Sequence, residues 1–199
     1  MQAVIALPEI AGSADKLAEL LMQPVSGIPL LLRTMLTAAR AGADDVVLIC
    51  PVAVADGVTQ KFLQDVRTKY GLEIKAVRVR EFEPGASSRW TELNRHVNDG
   101  FLWLPWNWVT TKKFLTNLPL VDVNSVDWTR PAYVTLYEVN RDKTSSYLLP
   151  PSEGIAVTSP ESIASAERFL VAHSGKALDG IHTSFNRRRE SIVLDGFQN

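Results

Sequence analysis

Four stretches of this chain carry residues whose types and spacing suit phosphate or metal chemistry. The first is the loop Pro8–Lys16 (PEIAGSADK), where Gly12 and Ser13 form a phosphate-sized element and Lys16 adds charge nearby. Backbone N–H groups between a strand and a helix make a natural anion cradle. The fingerprints G-x-G-x-x-G and G-x-x-x-x-G-K-[ST] are both absent. This loop is therefore either a reduced phosphate loop or a surface turn with a solvated lysine. The second stretch is Gly85-Ala86-Ser87-Ser88-Arg89. Its small residues permit close approach of a ligand, and a helix starting there favours an anion or a base carbonyl; an ordinary capped helix fits the same residues.

The third stretch is Leu104-Pro105-Trp106-Asn107-Trp108, where Asn107 is the one amide between two tryptophans. A polar residue at the carboxyl end of a central parallel strand faces the ligand crevice. An amide oxygen binds a metal only as a neutral donor, without the charge that lets a carboxylate hold Mg²⁺. The tryptophans are either core or a stacking wall. The fourth is the tail, Asp179-Gly180 through Phe185-Asn186-Arg187-Arg188-Arg189. Asp179 before a glycine is a turn carboxylate free to point into a site, and the arginines suit phosphate or a solvated face. His96 and His173 fall on expected helices far from any partner and read as structural. No nucleophile–histidine–acid arrangement and no His/Cys metal spacing can be picked out.

These residues need elements to hold them. Ala3–Leu7 (AVIAL) is a short continuous apolar run, as in a buried parallel strand. A short polar loop and a Pro-x-x-Gly-x-Pro turn lead to a helix over Pro29–Ala41, with proline at its start and Gly42 at its end. Asp45–Cys50 (DVVLIC) is a second buried strand. Val58–Tyr70 is a one-faced helix stopped by Gly71, and Leu72–Val79 (LEIKAVRV) alternates as a strand near an edge. Gly85–Val97 reads as a helix, Phe101–Leu104 as a central strand and Thr110–Leu118 as a short threonine-capped helix. Pro119–Arg130 reads as loop and Ala132–Val139 as a strand, with Tyr147–Leu149 as its partner. Gly154–Val157 is a short strand, and Ser159-Pro160 starts a helix running to about His173. Helices and strands alternate through the first 120 residues or so, then strands cluster. The expected fold is a three-layer α/β/α sandwich with a mainly parallel mixed sheet.

The 199 residues fit one domain, expected to span 1–199, either whole or as the N-terminal part of a longer protein. The 46% hydrophobic content is that of a globular chain. No apolar run has the length of a membrane helix and no basic-then-apolar leader opens the sequence, so a cytoplasmic location is expected. A net charge of −1 gives no global drive towards nucleic acid. The single cysteine, Cys50, excludes an internal disulfide and a cysteine-ligated cluster; at the end of a buried strand it reads as a core residue.

Val25-Ser26-Gly27-Ile28-Pro29-Leu30-Leu31 resembles the V-x-G-x-P-L-L turn of the GT-A-type nucleotidyltransferases (nucleotide-diphospho-sugar transferase-like), and Ala39–Val47 resembles the lead into their second strand. Asp179-Gly180 with Phe185-Asn186-Arg187 resembles the D-G…(Y/F)-N-R run of the polyol-phosphate cytidylyltransferase domains fused to CDP-alcohol phosphatidyltransferases. The resemblance implies transfer of a nucleotidyl group from a nucleoside triphosphate to a sugar- or polyol-phosphate, as in phospholipid precursor synthesis, and a fused or associated membrane transferase domain. It implies nucleotide binding by Gly12, Ser13, Gly85, Ser88 and Arg89, and a catalytic role for Lys16 and Asp179. It also implies Mg²⁺ held by Asn107 and Asp179. Two positions depart from the family pattern. Leu20 stands near the family's phosphate-loop lysine, leaving Lys16 as the substitute, and Asn107 stands where the family has a metal aspartate. Phosphoryl chemistry depends on neutralising developing charge, so both losses weaken the reaction. Three readings follow: an active nucleotidyltransferase, a non-catalytic nucleotide- or partner-binding pseudoenzyme domain, and a GT-A glycosyltransferase using a nucleotide-sugar donor.

Overall fold

The opening apolar run forms β1 (Gln2–Ala6), and both of its faces are buried because it lies in mid-sheet with layers on either side. The computed structural model describes residues 1–8, 14–51, 59–136 and 153–174. Along the chain follow α1 (Ala14–Met22), β2 (Pro24–Val25), β3 (Ile28–Pro29), α2 (Leu30–Arg40), β4 (Asp45–Pro51), α3 (Thr59–Tyr70) and β5 (Glu73–Val79). Then come α4 (Ser87–Leu93), β6 (Gly100–Trp103), β7 (Trp108–Thr110), α5 (Lys112–Thr116), β8 (Leu120–Asp122), a 3-10 turn (Val123–Ser125), β9 (Ala132–Thr135), β10 (Gly154–Ala156) and α6 (Pro160–Ser174).

Among the described residues six strands make the central sheet, in the order β5-β4-β1-β6-β9-β8. The pairs β4–β5, β1–β4 and β1–β6 are parallel, β6–β9 is antiparallel and β8–β9 is parallel. The fold is thus α/β with a mainly parallel mixed sheet. Alternate side chains point to opposite faces, and the two buried clusters follow that alternation. Ala3, Ile5, Val46, Leu48 and Cys50 pack with Leu17 and Leu21 of α1, Leu31 and Met35 of α2, Val66 of α3 and Phe114 of α5. Val4, Val47, Ile49, Val77, Phe101 and Trp103 pack with Trp90 and Leu93 of α4. On that second face Trp90 is stacked between Phe101 and Trp128, with ring centroids 5.0 and 5.2 Å away. A third cluster joins Val25, Leu30 and Val109 to Ala166 and Leu170 of α6, which covers a two-stranded sheet of β7 and β10.

Local chemistry sets the boundaries. Gly42 (φ +104) closes α2 in a Schellman arrangement, with Ala43 N–H on Ala38 O and Gly42 N–H on Ala39 O. The Pro-x-x-Gly-x-Pro turn is a hairpin: Val25 pairs with Ile28 across Ser26 (φ 49) and Gly27 (φ 78). Two positive φ values in a two-residue loop define a type I′ turn, whose twist matches its flanking strands.

The alternation expected at Leu72–Val79 is the sheet edge, β5. Several boundaries differ from expectation. The expected polar loop shortens because α1 starts at Ala14; Leu17 and Leu21 give it a buried stripe that its polar first turn hides in the sequence. The expected helix Gly85–Val97 is α4 alone, followed by turns that carry His96. The short helix begins after Thr111, whose hydroxyl accepts from Phe114 N–H at 3.2 Å, while Thr110 belongs to β7. Pro119–Arg130 is not all loop: β8 pairs beside β9, a non-local contact that the sequence there does not announce. Tyr147–Leu149 and the extension of β9 to Val139 lie outside the described residues.

Candidate functional site

In an open parallel sheet, ligands bind outside the carboxyl ends of strands where the strand order reverses direction. From β1 the chain moves outward to β4 and β5, then returns to place β6 on the other side of β1. The switch point is therefore between β1 and β6. Their ladder runs Gln2–Phe101, Ala3–Leu102 and Val4–Trp103, and Leu104 N–H extends it to Val4 O at 3.0 Å. The loop after β1, with Gly12 and Ser13, and the loop after β6, with Asn107, thus leave from adjacent strands. Gly12 and Ser13 themselves lie outside the described residues. Lys16 is in the first turn of α1, and its side chain is outside the described set.

Asn107 is better defined. Its main-chain oxygen accepts from Val157 N–H at 2.8 Å, and the oxygen of Trp106 accepts from the Thr34 hydroxyl of α2 at 3.2 Å. The segment is thereby pinned between α2 and the end of β10, which fixes where Asn107 leaves the sheet. Asn107 and Trp106 are half-buried, and Trp106 packs against two core clusters. Trp108 is buried, with its indole nitrogen unpartnered and its ring directly against the backbone of Gly154. Trp108 is therefore core rather than stacking wall.

Gly85 lies on the second face: a Cβ there would stand 4.0 Å from the Trp128 ring. Neighbouring Pro84 accepts from the Trp90 indole at 2.7 Å. Ser88 is exposed in the first turn of α4, whose N-cap residue, Ala86, makes no side-chain cap. Arg89 turns to carboxylates, lying 3.7 Å from Glu81 and 3.4 Å from Glu92. Asp179 and the arginines 187–189 lie outside the described residues. The sheet topology sets the ends of β1 and β6 side by side, and Asn107 follows the second of them; Arg89 is engaged beside β5.

The described residues do not fit a divalent-metal centre by themselves. Asn107 offers a neutral oxygen, and no group of three or more His, Cys, Asp or Glu side chains among the described residues can hold an ion. Cys50 is no nucleophile: burial pushes its thiol up to about 12, against a smaller opposite pull from Arg78.

Sequence reasoning missed one polar constellation. Arg33 of α2 is 2% exposed, and its Nε and Nη2 donate to Val25 O at 3.1 and 2.7 Å. Glu167 of α6 accepts from Ser26 N–H at 2.7 Å. Burial lowers the guanidinium pKa against a smaller opposite pull from the Glu167 charge, leaving it at about 10. The signal was present in LLLRTML: a charge and a hydroxyl inside a helical stretch whose neighbours are all apolar.

No family profile and no curated protein matches this chain. Among solved structures, the inositol-1-phosphate CTP transferase from T. maritima aligns with 57% of this chain at 16% identity and a TM-score of 0.42. The alignment covers 46% of that protein's own length. No helix among the described residues is long and apolar enough to cross a membrane.

Proposed function

We propose that this chain is a nucleotidyltransferase-like domain that binds a nucleoside triphosphate outside the carboxyl ends of β1 and β6, with transfer to a phosphorylated alcohol or sugar weak or lost. The observation that carries the reading is the switch point between those strands, with Asn107 leaving it on a backbone pinned by Thr34 and Val157. Resemblance at Val25–Leu31 adds support, since that motif is a type I′ hairpin leading directly into α2. Gly12, Ser13 and Lys16 contact phosphate in this reading, and Asp179 supplies the remaining carboxylate.

Weak transfer follows from electrostatics. A neutral amide replaces a metal-binding carboxylate, and no lysine stands at the family's phosphate-loop position. Each lost charge contact removes on the order of 2–4 kcal/mol of transition-state stabilisation, roughly 10²–10³ in rate. Mg²⁺ affinity is correspondingly low.

The test is pyrophosphate release from CTP, UTP, ATP and GTP with inositol or glycerol phosphate, beside nucleotide binding by calorimetry, on the native chain and Asn107→Asp. The expected result is little release, with Mg²⁺-dependent nucleotide binding tightened in Asn107→Asp. Rapid turnover by the native chain would overturn the weakened-site reading and leave an active enzyme. Absence of nucleotide binding in both proteins would overturn the nucleotide-binding reading itself.

A further inference from the structure

We propose that the outer edge of β5, with the groove between it and α4, docks an extended acidic segment of a partner protein as an additional strand. This edge is separate from the crevice at β1 and β6. Strand β5 pairs with β4 on one side only, and among the described residues no strand covers the other. It is seven residues long and contains no proline. Such an edge presents unsatisfied main-chain donors and acceptors that template another strand. Along it runs a groove of about 470 Å³, bounded by Ala76–Glu81 on the strand side and by Arg89, Glu92, Arg95 and His96 on the other. The four residues of β5 along it, Ala76–Val79, span about 13 Å and the chain runs on through Arg80 and Glu81, so the groove has the length of an extended segment rather than of a single phosphate.

Charge selects the occupant. Among the described residues, Arg78, Arg80, Arg89 and Arg95 line the groove with two carboxylates, Glu81 and Glu92, both of which lie beside Arg89. Arg78 has a partner of its own, and Arg80, Arg89 and Arg95 without it still outnumber those carboxylates, on a chain whose net charge is −1. It is spread along the edge: Lys75 and Arg95 bear on His96 at one end, and Arg78, Arg80 and Arg89 gather towards the other. A second copy of this chain would bring the same positive excess against itself, so pairing of two β5 edges is disfavoured. Among the described residues no Phe, Tyr or Trp lines the groove, which gives no stacking platform of the kind with which single-stranded nucleic acid is held. An extended acidic peptide satisfies both the main-chain groups and the charge. Basic residues on an edge also deter unwanted pairing, and the experiment separates that role from docking.

The probe is a fluorescent peptide of about eight residues, one strand's length, alternating Glu with Val or Thr. Anisotropy is read with the full chain. Expected is saturable binding, weakened about tenfold or more when alternate peptide amides are N-methylated. A similar loss is expected with the chain variant Arg80→Glu/Arg95→Glu. The His96 ring, followed by NMR, should titrate at higher pH when the peptide is bound. No binding by the native chain would overturn the proposal and leave edge protection as the role of these charges. Equal binding of the N-methylated peptide, or tighter binding of a single-stranded DNA oligonucleotide, would also overturn it, since either shows a basic patch without strand addition. The N-methylation arm leaves the protein unaltered and so stands even if the double variant folds poorly.

Discussion

Arg33 and Glu167 grip a single peptide unit, the Val25–Ser26 amide, from two different helices. The guanidinium donates twice to its oxygen, at 3.1 and 2.7 Å, and the carboxylate accepts from its N–H at 2.7 Å. The clamped unit opens the type I′ turn, where Ser26 sits at φ 49 without being glycine. A non-glycine residue in that region is locally disfavoured, and the clamp's three hydrogen bonds hold the peptide that opens the turn.

Removal of the guanidinium should therefore cost more than removal of the carboxylate charge. Arg33→Met leaves Val25 O and a half-buried carboxylate without their cation, and should lower unfolding stability by about 3 kcal/mol or more. Glu167→Gln keeps an oxygen for Ser26 N–H and should cost about 1 kcal/mol. Urea denaturation of the two single variants and the double variant checks this. The double should be less destabilised than the sum of the singles, because with Glu167→Gln in place the loss of the guanidinium strands no charge.

Gly154 should not tolerate a side chain. A Cβ there would clash with the Trp108 indole nitrogen and lie 2.9 Å from Val109 O, and the latter is backbone in the β7–β10 ladder. Gly154→Ala should destabilise by about 1–3 kcal/mol. Adding Trp108→Phe, which removes the clashing indole nitrogen, should recover part of that loss while the Val109 contact persists. Thermal denaturation of the three variants reads the outcome.

Cys50 should resist thiol reagents while the chain is folded. With its pKa pushed up to about 12, the thiolate fraction at pH 8 is about 10³-fold below that of an ordinary thiol. Iodoacetamide labelling should be slow in buffer and become fast in denaturant, so that the rate reports opening of β4. Rapid labelling of native protein would contradict the burial of this strand.

His96 should titrate below the ordinary histidine range. Burial is the first cause, followed by the charges of Lys75 and Arg95, and Arg95 Nε donates to its Nε2 at 3.2 Å. The expectation of a histidine without a partner is thus corrected. Because the folded pKa is depressed, the unfolded chain takes up this proton first on acidification. The contribution to stability is full above the unfolded value near 6.5 and is lost as pH falls from there through the folded value. NMR titration should show the midpoint rising in Lys75→Ala and in Arg95→Ala, with the burial contribution left in place.

The strands β1, β4, β5 and β6, the helices α2 and α3 and the order in which they alternate were legible in the amino-acid sequence. Their signals are local: apolar runs, spacings of two or of three to four, and Gly42 and Gly71 as stops. It also marked Cys50 as core and β5 as an edge, since one buried strand reads as continuous apolar residues and one exposed strand as alternation. That position 107 carries a neutral amide was equally legible, because it is a matter of residue type. Only the tertiary structure decided the rest. Thr34 meets Trp106 across 72 residues and Ser26 meets Glu167 across 141, so no periodicity reveals either contact. A guanidinium in an apolar helix face is ambiguous until a turn 8 residues earlier folds back to accept it. Arg89 reads as a nucleotide-binding residue at a helix start, and that Glu81 and Glu92 lie beside it is visible only in the fold. Residue type and spacing set which elements form, whereas long-range packing sets which polar groups lose water and must find each other.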